Sequence, residues 1–433
     1  MQGIFSMELK KITPISAILI SVNIIVGAGI YINMNKLAVC TGVWGGLIYW
    51  LGALILLPIV LCLAELAMHN PMPGGMYVYA RKYLHPMVGF MSGWSYFMAK
   101  ATSVALLVHV FVSFFEEMIP SLSVYTSSYL SLGVIALLIF LNSCGVTIGG
   151  IIQYFFATMK FIPILFIMIA AWNCFNPQNI SWVWQDSFEI GAALPLVVFA
   201  LLSFEVVCSI GHLVSEPKKI RFIILMAFGL VSFLYGILQF LMFGSLGYFL
   251  GVSSKPVMTL GIIAFPQFEY LTYLVNGLIF TSVIAGAFGV LTSNCWNLFA
   301  LAKDKLLPGN QYFMFLTKKN IPLVCLLIEG MISGCILMIS SDLIALQNMA
   351  VFCVCITYFL NCCAAFIAVQ QDKTIALSIW IPAMALVSSF YLMFLCTKKL
   401  WGSGLSFAFL SLFLFGIIAF LWQELTKKKE ETF

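Results

Sequence analysis

The chain has 433 residues, 62% of them hydrophobic and only 9% charged, with a formal net charge of +5 and a mean hydropathy of +1.07. No water-soluble core of this length needs so much apolar surface, so the composition excludes a soluble globular protein and predicts an all-α protein that crosses a bilayer many times. The small basic excess gives no sign of a nucleic-acid partner.

A span needs about twenty mostly apolar residues to cross roughly 30 Å of hydrocarbon. By that measure twelve spans are predicted, at 14–39, 42–68, 86–115, 123–144, 150–173, 190–213, 220–249, 270–300, 321–340, 343–369, 375–396 and 403–423. The links are short, leaving no room for a separate soluble domain, so residues 1–433 read as a single transmembrane unit. The N-terminus shows no cleavable signal pattern, because Lys10 and Lys11 precede an apolar run too long for a signal peptide. Basic residues mark cytoplasmic loops. With the N-terminus inside, 15 of the 21 Lys and Arg fall on the cytoplasmic side, while Lys36, Lys255, Lys398 and Lys399 fall outside. This predicts a multi-pass plasma (bacterial inner) membrane protein with both termini in the cytoplasm.

The first span carries its weakest point at mid-depth. "VNIIVGAGIY" (22–31) places Gly27-Ala28-Gly29 inside an otherwise helical run, and each glycine costs a helix roughly 1 kcal/mol relative to alanine. Span six carries a fainter interruption, the polar Ser203 and Glu205 of "FALLSFE" (199–205). Residues 12–174 and 190–369 then form two halves of five spans, each opening with an interrupted span, with 375–423 supplying two additional helices. An odd number of spans per half forces opposite orientations, the plan of an inverted-repeat transporter whose binding site lies at the interruptions. Non-helical backbone is tolerated at membrane depth where it lines a cavity.

Four charges fall well inside spans: Lys100, Lys160, Glu205 and Glu329. A mid-bilayer charge costs at least about 2.5–3.5 kcal/mol, so it faces a cavity or a partner. Two of each sign allow two internal ion pairs. Lys160 lies about 15 Å into span five by helical rise, on a face with Gln153 and Ala157. Lys100 shares a stripe with Ser92, Tyr96 and Ser103, which turns it inward. If no carboxylate cancels it, Lys100 disfavours cationic substrates such as arginine, agmatine and polyamines. The thirteen cysteines are scattered through apolar runs and read as small apolar filler. No metal or cofactor is expected. With His109 and His212 the only histidines in or at the edge of spans, and no acidic motif around them, an enzyme is not expected either.

Three further stretches make a resemblance specific. Glu65-Leu66-Ala67 precedes "HNPMPGGMYVYARKYL", with Pro71, Gly74, Gly75, Tyr77 and Tyr79; "SEPKKI" occupies 215–220; "FALAKDKLLPGN" carries Ala302, Asp304, Leu306 and Pro308. Together these resemble the amino acid permeases of the amino acid–polyamine–organocation (APC) superfamily, which have the LeuT-type fold. The resemblance implies that span one unwinds at Gly27, Ala28, Gly29 and Ile30, whose N–H groups hold a substrate carboxylate. It implies that Phe199, Ala200, Leu202 and Ser203 complete the site, the carbonyls of Phe199 and Leu202 facing the amine and Phe199 acting as an aromatic gate. Ser203 departs from the pattern, standing where the family has glycine. Glu205 and Lys100 are the implied gating residues. Lys160 resembles a lysine of sodium-independent members, standing where sodium sits in sodium-coupled relatives.

The function so implied is sodium-independent secondary transport of amino acids by alternating access, as proton symport or amino acid exchange. The competing readings are an arginine–agmatine or polyamine type antiporter and a non-transporting amino acid sensor; the short tail "QELTKKKEETF" argues against the sensor. Expected partners are the amino acid, the lipid bilayer and protons as a candidate coupling ion. The loop "EEMIPSLSV" (116–124) has no cysteine, so no disulfide-linked glycoprotein is expected, and the protein works as a monomer or homodimer.

Overall fold

The structure is a computed structural model that describes residues 12–72, 75–118, 124–144, 159–183, 188–211, 214–400 and 404–432. Lys10, Lys11, Gly74, Gln153, Ala157 and His212 lie outside these residues. The helices are α1 (Pro14–Ile25), α2 (Gly29–Thr41), α3 (Gly45–His69), α4 (Met76–Tyr83), α5 (Pro86–Met118), α6 (Val124–Ser143), α7 (Phe161–Cys174) and α8 (Ile190–Leu201). There follow α9 (Val206–Ile210), α10 (Ile220–Leu246), α11 (Pro256–Ala264), α12 (Glu269–Lys303), α13 (Leu323–Ile339), α14 (Leu343–Gln371), α15 (Trp380–Leu400) and α16 (Gly404–Thr432). No strand occurs among the described residues, only an isolated bridge between Ile12 and Val214.

In hydrocarbon every backbone polar group needs an internal partner, and a helix supplies one within its own segment. Eight helical stretches among the described residues are long and apolar enough to cross a membrane. Four shorter apolar helices accompany them, α1, Ser127–Ser143 of α6, α7 and α13. The protein is therefore an all-helical, multi-pass membrane protein. Its surface agrees: Leu19, Leu54, Leu137, Leu165, Phe390 and Phe415 are exposed, whereas Asn33, Glu65, Gln239, Glu329, Gln347 and Asn361 are fully buried. Apolar side chains face outward and polar ones gather inside, the arrangement a lipid solvent imposes.

α5 is the central post, packing against α12, α13 and α14. α3 packs against α10 and α15, α1 against α10, and α2 against α8. Local chemistry fixes the helix ends: the Thr13 hydroxyl caps α1 ahead of Pro14, and Asp342 accepts from Ile344 N–H at 2.8 Å at the start of α14.

The signature stretches tie helix ends together. Buried Glu65 accepts from Arg221 at 3.0 Å and from the Ala376 N–H at 3.1 Å, joining α3 to α10 and to the segment ahead of α15. Asp304 at the end of α12 pairs with Arg81 and accepts from the Tyr77 hydroxyl at 3.1 Å. The first and third of these stretches thus include residues in direct contact across the fold.

Candidate functional site

α1 and α2 are one apolar run divided at Val26, Gly27 and Ala28. The Val26 N–H closes α1 by donating to Val22 O at 2.8 Å, and the Ile32 N–H opens α2 by donating to Ala28 O at 3.1 Å. The first N–H groups of α2 are left without helical acceptors, and the positive end of its dipole faces the gap. On the other side of the gap the Ile25 carbonyl accepts from the Tyr235 hydroxyl of α10 at 3.3 Å.

The two glycines play different parts. A Cβ on Gly29 would stand 2.7 Å from Ala200 Cα, so glycine is what lets α2 approach α8. A Cβ on Gly27 would meet nothing nearer than the Ile25 carbonyl at 3.8 Å. Protein packing does not require a glycine there.

The second break is wider than its composition suggests. α8 stops at Leu201 and α9 starts at Val206, leaving the turn residues 202–205 between them. Ser203 adopts φ +82°, a left-handed conformation that costs an L-residue about 1–2 kcal/mol. Serine holds the glycine-like geometry because its surroundings clamp it. Its N–H donates to Glu205 Oε2 at 2.8 Å, and its Oγ accepts from Lys100 Nζ at 3.2 Å. Four residues thus separate α8 from α9, against three between α1 and α2.

Glu205 accepts four donors. Besides Ser203, they are Lys100 Nζ at 3.0 Å, the Tyr96 hydroxyl at 3.3 Å and the Tyr358 hydroxyl at 3.0 Å. Both members of the Lys100–Glu205 pair are buried, with side chains 6% and 0% exposed. Glu205 thus neutralises Lys100, and the condition under which Lys100 would disfavour cationic substrates is not met. Of the two ion pairs the sequence allows, this one forms. Lys160 and Glu329 have no ion-pair partner among the described residues.

A cavity of about 420 Å³ lies between the two breaks. Gly27, Ala28 and Gly29 line it from the first break, and Phe199, Ala200, Leu202 and Ser203 from the second. Lys100 and Lys160 line it too; Ile30 is fully buried outside it, and Glu205 sits behind Lys100. Lys160 precedes α7, and its carbonyl accepts from the Tyr31 hydroxyl of α2 at 3.2 Å, which ties it to the first break. Asn23 of α1 also lines the cavity, its Oδ1 buried without a hydrogen bond. From the breaks the cavity runs past Ser293 and Trp296 to Ile321 and to Asn142 and Thr292, which hydrogen-bond to each other. On the other side of the breaks, Asn33 Nδ2 of α2 donates to Leu196 O of α8 at 2.9 Å, and Gln347 Nε2 of α14 donates to Asn33 Oδ1 at 2.7 Å.

The N–H groups at the start of α2 and the ammonium of Lys160, on one cavity, can hold an anionic group such as a carboxylate. Comparison with known proteins agrees with that chemistry. The model of a family described as amino acid permease matches residues 12–428. The chain belongs to that family. It is 25% identical over 364 residues to the amino-acid permease RocC of Bacillus subtilis, covering 77% of this chain and 73% of the relative. The serine/threonine exchanger SteT of the same organism is 23% identical over 410 residues, covering 89% and 90%. A D-serine/D-alanine/glycine transporter of Escherichia coli K12 is 22% identical over 359 residues, covering 77% and 72%. This permease is thus a membrane protein of amino acid transport.

Sequence reasoning missed several residues around the breaks. Tyr96 was legible as a member of the Lys100 stripe, though its bond to Glu205 was not. Tyr358 and Gln347 stand on α14, and nothing in their own segment marks them, because their partners are more than 100 residues away. Asn23 sits within the opening motif and carried a signal, a lone amide four residues before the glycine pair.

Proposed function

We propose that this permease moves amino acids by sodium-independent alternating access, as a proton symporter or an amino acid exchanger. The single observation that carries the proposal is the pair of helix breaks opening on one cavity, with the space beside Gly27 left clear of protein atoms. The substrate carboxylate lies against the N–H groups at the start of α2. Its ammonium lies against the carbonyls around Phe199 and Leu202. Phe199 gates the cavity, and the Lys100–Glu205 pair holds the second break in shape. Lys160, without a counter-charge among the described residues, supplies the fixed positive charge that sodium supplies elsewhere. That charge now takes over the argument first attached to Lys100: the pocket disfavours cationic side chains and favours neutral amino acids.

The architecture that goes with this reading is twelve spans in two inverted halves, 12–174 and 190–369, followed by the two helices of 375–423. With both termini in the cytoplasm, the cavity reaches toward the inner face, where Asn142 and Ile321 lie. The relatives fit: one is named an exchanger of serine and threonine, another a transporter of D-serine, D-alanine and glycine.

The test is uptake of a labelled amino acid panel into proteoliposomes without sodium, with and without internal amino acid, and with an imposed inward proton gradient. Uptake that requires internal substrate identifies exchange; uptake driven by the gradient identifies symport. Binding without movement would return the sensor reading. Arginine or agmatine preferred over serine would refute the neutral pocket. Lys160→Ala is expected to abolish uptake while the protein stays folded, and wild-type rates in that variant would remove Lys160 from the mechanism.

A further inference from the structure

Away from the cavity, the polar groups around Glu329 do not balance. Glu329 sits in the middle of α13, fully buried. One of its oxygens, Oε1, accepts from Asn294 Nδ2 of α12 at 3.0 Å. The same amide nitrogen donates its other hydrogen to Phe97 O of α5 at 3.1 Å. Two atoms of this linked pair are left over: Glu329 Oε2 and Asn294 Oδ1 are both buried, and neither has a hydrogen-bond partner among the described residues. If the side chain is a carboxylate, both are acceptors and neither satisfies the other.

Among the described residues, the polar groups recorded around Glu329 are already committed elsewhere. The Ser333 hydroxyl, one turn along α13, donates to Ala101 O at 3.0 Å. The titratable groups that interact electrostatically with Glu329 are the thiols of Cys295 on α12 and Cys325 on α13. Cys295 Sγ donates to Thr292 O at 3.0 Å, and Cys325 Sγ donates to Phe313 O at 3.4 Å. No Lys, Arg or His among the described residues forms an ion pair with Glu329. An ionised carboxylate in this place would be an uncompensated buried charge, which interiors do not sustain.

We infer that Glu329 and Asn294 form a proton-binding site, in which a proton on Glu329 Oε2 is donated to Asn294 Oδ1. Acid and amide then bond reciprocally, Nδ2 to Oε1 and Oε2 to Oδ1. One proton satisfies both orphaned atoms, and Asn294 keeps its second hydrogen for Phe97. The proton is a fixed part of the fold. Neither Glu329 nor Asn294 lines the cavity, so the substrate does not reach it. The closed pair joins α12 to α13, and through Phe97 both to α5, one turn from Lys100. This removes Glu329 from the groups able to exchange protons with transport.

The assignment is tested by infrared difference spectroscopy between the purified wild type and Glu329→Gln, together with uptake and thermal melting. A glutamine reproduces the same reciprocal pair without an ionisable group. The expected difference spectrum contains the C=O stretch of a hydrogen-bonded carboxylic acid, present in the wild type at neutral and alkaline pH and absent in the variant. Glu329→Gln, whose amide adds one buried N–H for which the acid has no counterpart, is expected to melt slightly below the wild type and to keep uptake, gradient-driven or by exchange, within about twofold. Glu329→Leu, which leaves both Asn294 Oδ1 and one Asn294 hydrogen without partners, is expected to melt earlier than Glu329→Gln. A carboxylate band in place of the acid band overturns the proposal. So does a Glu329→Gln protein that is folded but has lost gradient-driven uptake, because the proton would then be mobile. A Glu329→Gln protein that fails to fold overturns it as well, since the amide should replace the acid.

Discussion

Gly27 and Gly29 stand two residues apart in one break, and the structure assigns them opposite sensitivities to the same methyl group. At Gly29 an added Cβ would sit 2.7 Å from Ala200 Cα and 3.1 Å from Ala200 Cβ. A main-chain atom of a packed helix cannot swing aside, so Gly29→Ala must push α2 and α8 apart, at the overpacking cost of about 1–3 kcal/mol. Its expected signature is an earlier melt. At Gly27 the nearest atom is 3.8 Å away, an ordinary contact, and the backbone is not in a glycine-only region. Restricting the unfolded chain even favours the folded state by about 0.4–1 kcal/mol. The methyl nevertheless stands on a residue that lines the cavity. If the substrate carboxylate uses the adjacent N–H groups, displacing it should weaken transport about 10–100-fold in uptake efficiency, or about 1.4–2.7 kcal/mol. The assay is side-by-side melting and concentration-dependent uptake for both variants in proteoliposomes. Gly27→Ala with a wild-type melt and wild-type uptake would refute the placement of the carboxylate. Gly27→Ala that melts early would refute the steric reasoning.

Three other outcomes follow from the same geometry. Glu205→Gln leaves Lys100 buried without its counter-charge and is expected to cost about 3–5 kcal/mol in stability; adding Lys100→Met should recover most of it, and a double variant no better than the single would show that the pair is not the cause. Ser203→Gly removes a positive-φ cost of about 1 kcal/mol and is expected to raise the melting temperature, whereas an unchanged or lower value would mean that the Lys100 contact outweighs the strain. At Asp372, after α14, the Thr374 hydroxyl and then its N–H hold the carboxyl below its ordinary range. The depressed value means that this contribution is present above the ordinary aspartate pKa and is lost as the pH falls through the lowered one. Thr374→Val should therefore lower stability near neutral pH, with the difference from wild type vanishing in acid.

Hydropathy made the membrane-crossing helices legible, because a lipid solvent demands long apolar runs and offers little latitude. The first break was legible too, since Gly27 and Gly29 are out of place in a helix. The second was under-read. Ser203 gives no hint of its left-handed backbone, which is imposed by Glu205, Lys100 and Tyr358 rather than by local propensity. Charge pairing was legible only in part. The sequence shows that four ionisable residues are buried, yet which ones meet depends on packing between helices far apart in the chain. Lys100 and Glu205 are separated by more than one hundred residues, and nothing local marks one as the other's partner. Ile30 is fully buried in the core, so in the implied site it would take part through its N–H alone.

The close contact of Gly29 with Ala200, and the bonds joining Asn33, Leu196 and Gln347, bear on how the molecule can deform. They fasten α2, α8 and α14 into one girder, so these three cannot slide independently without breaking buried hydrogen bonds. The second break, Leu202–Glu205, is tied into the same framework through the bonds of Ser203 and Glu205 to Lys100 and Tyr358, whereas the space beside Gly27 in the first break is left open.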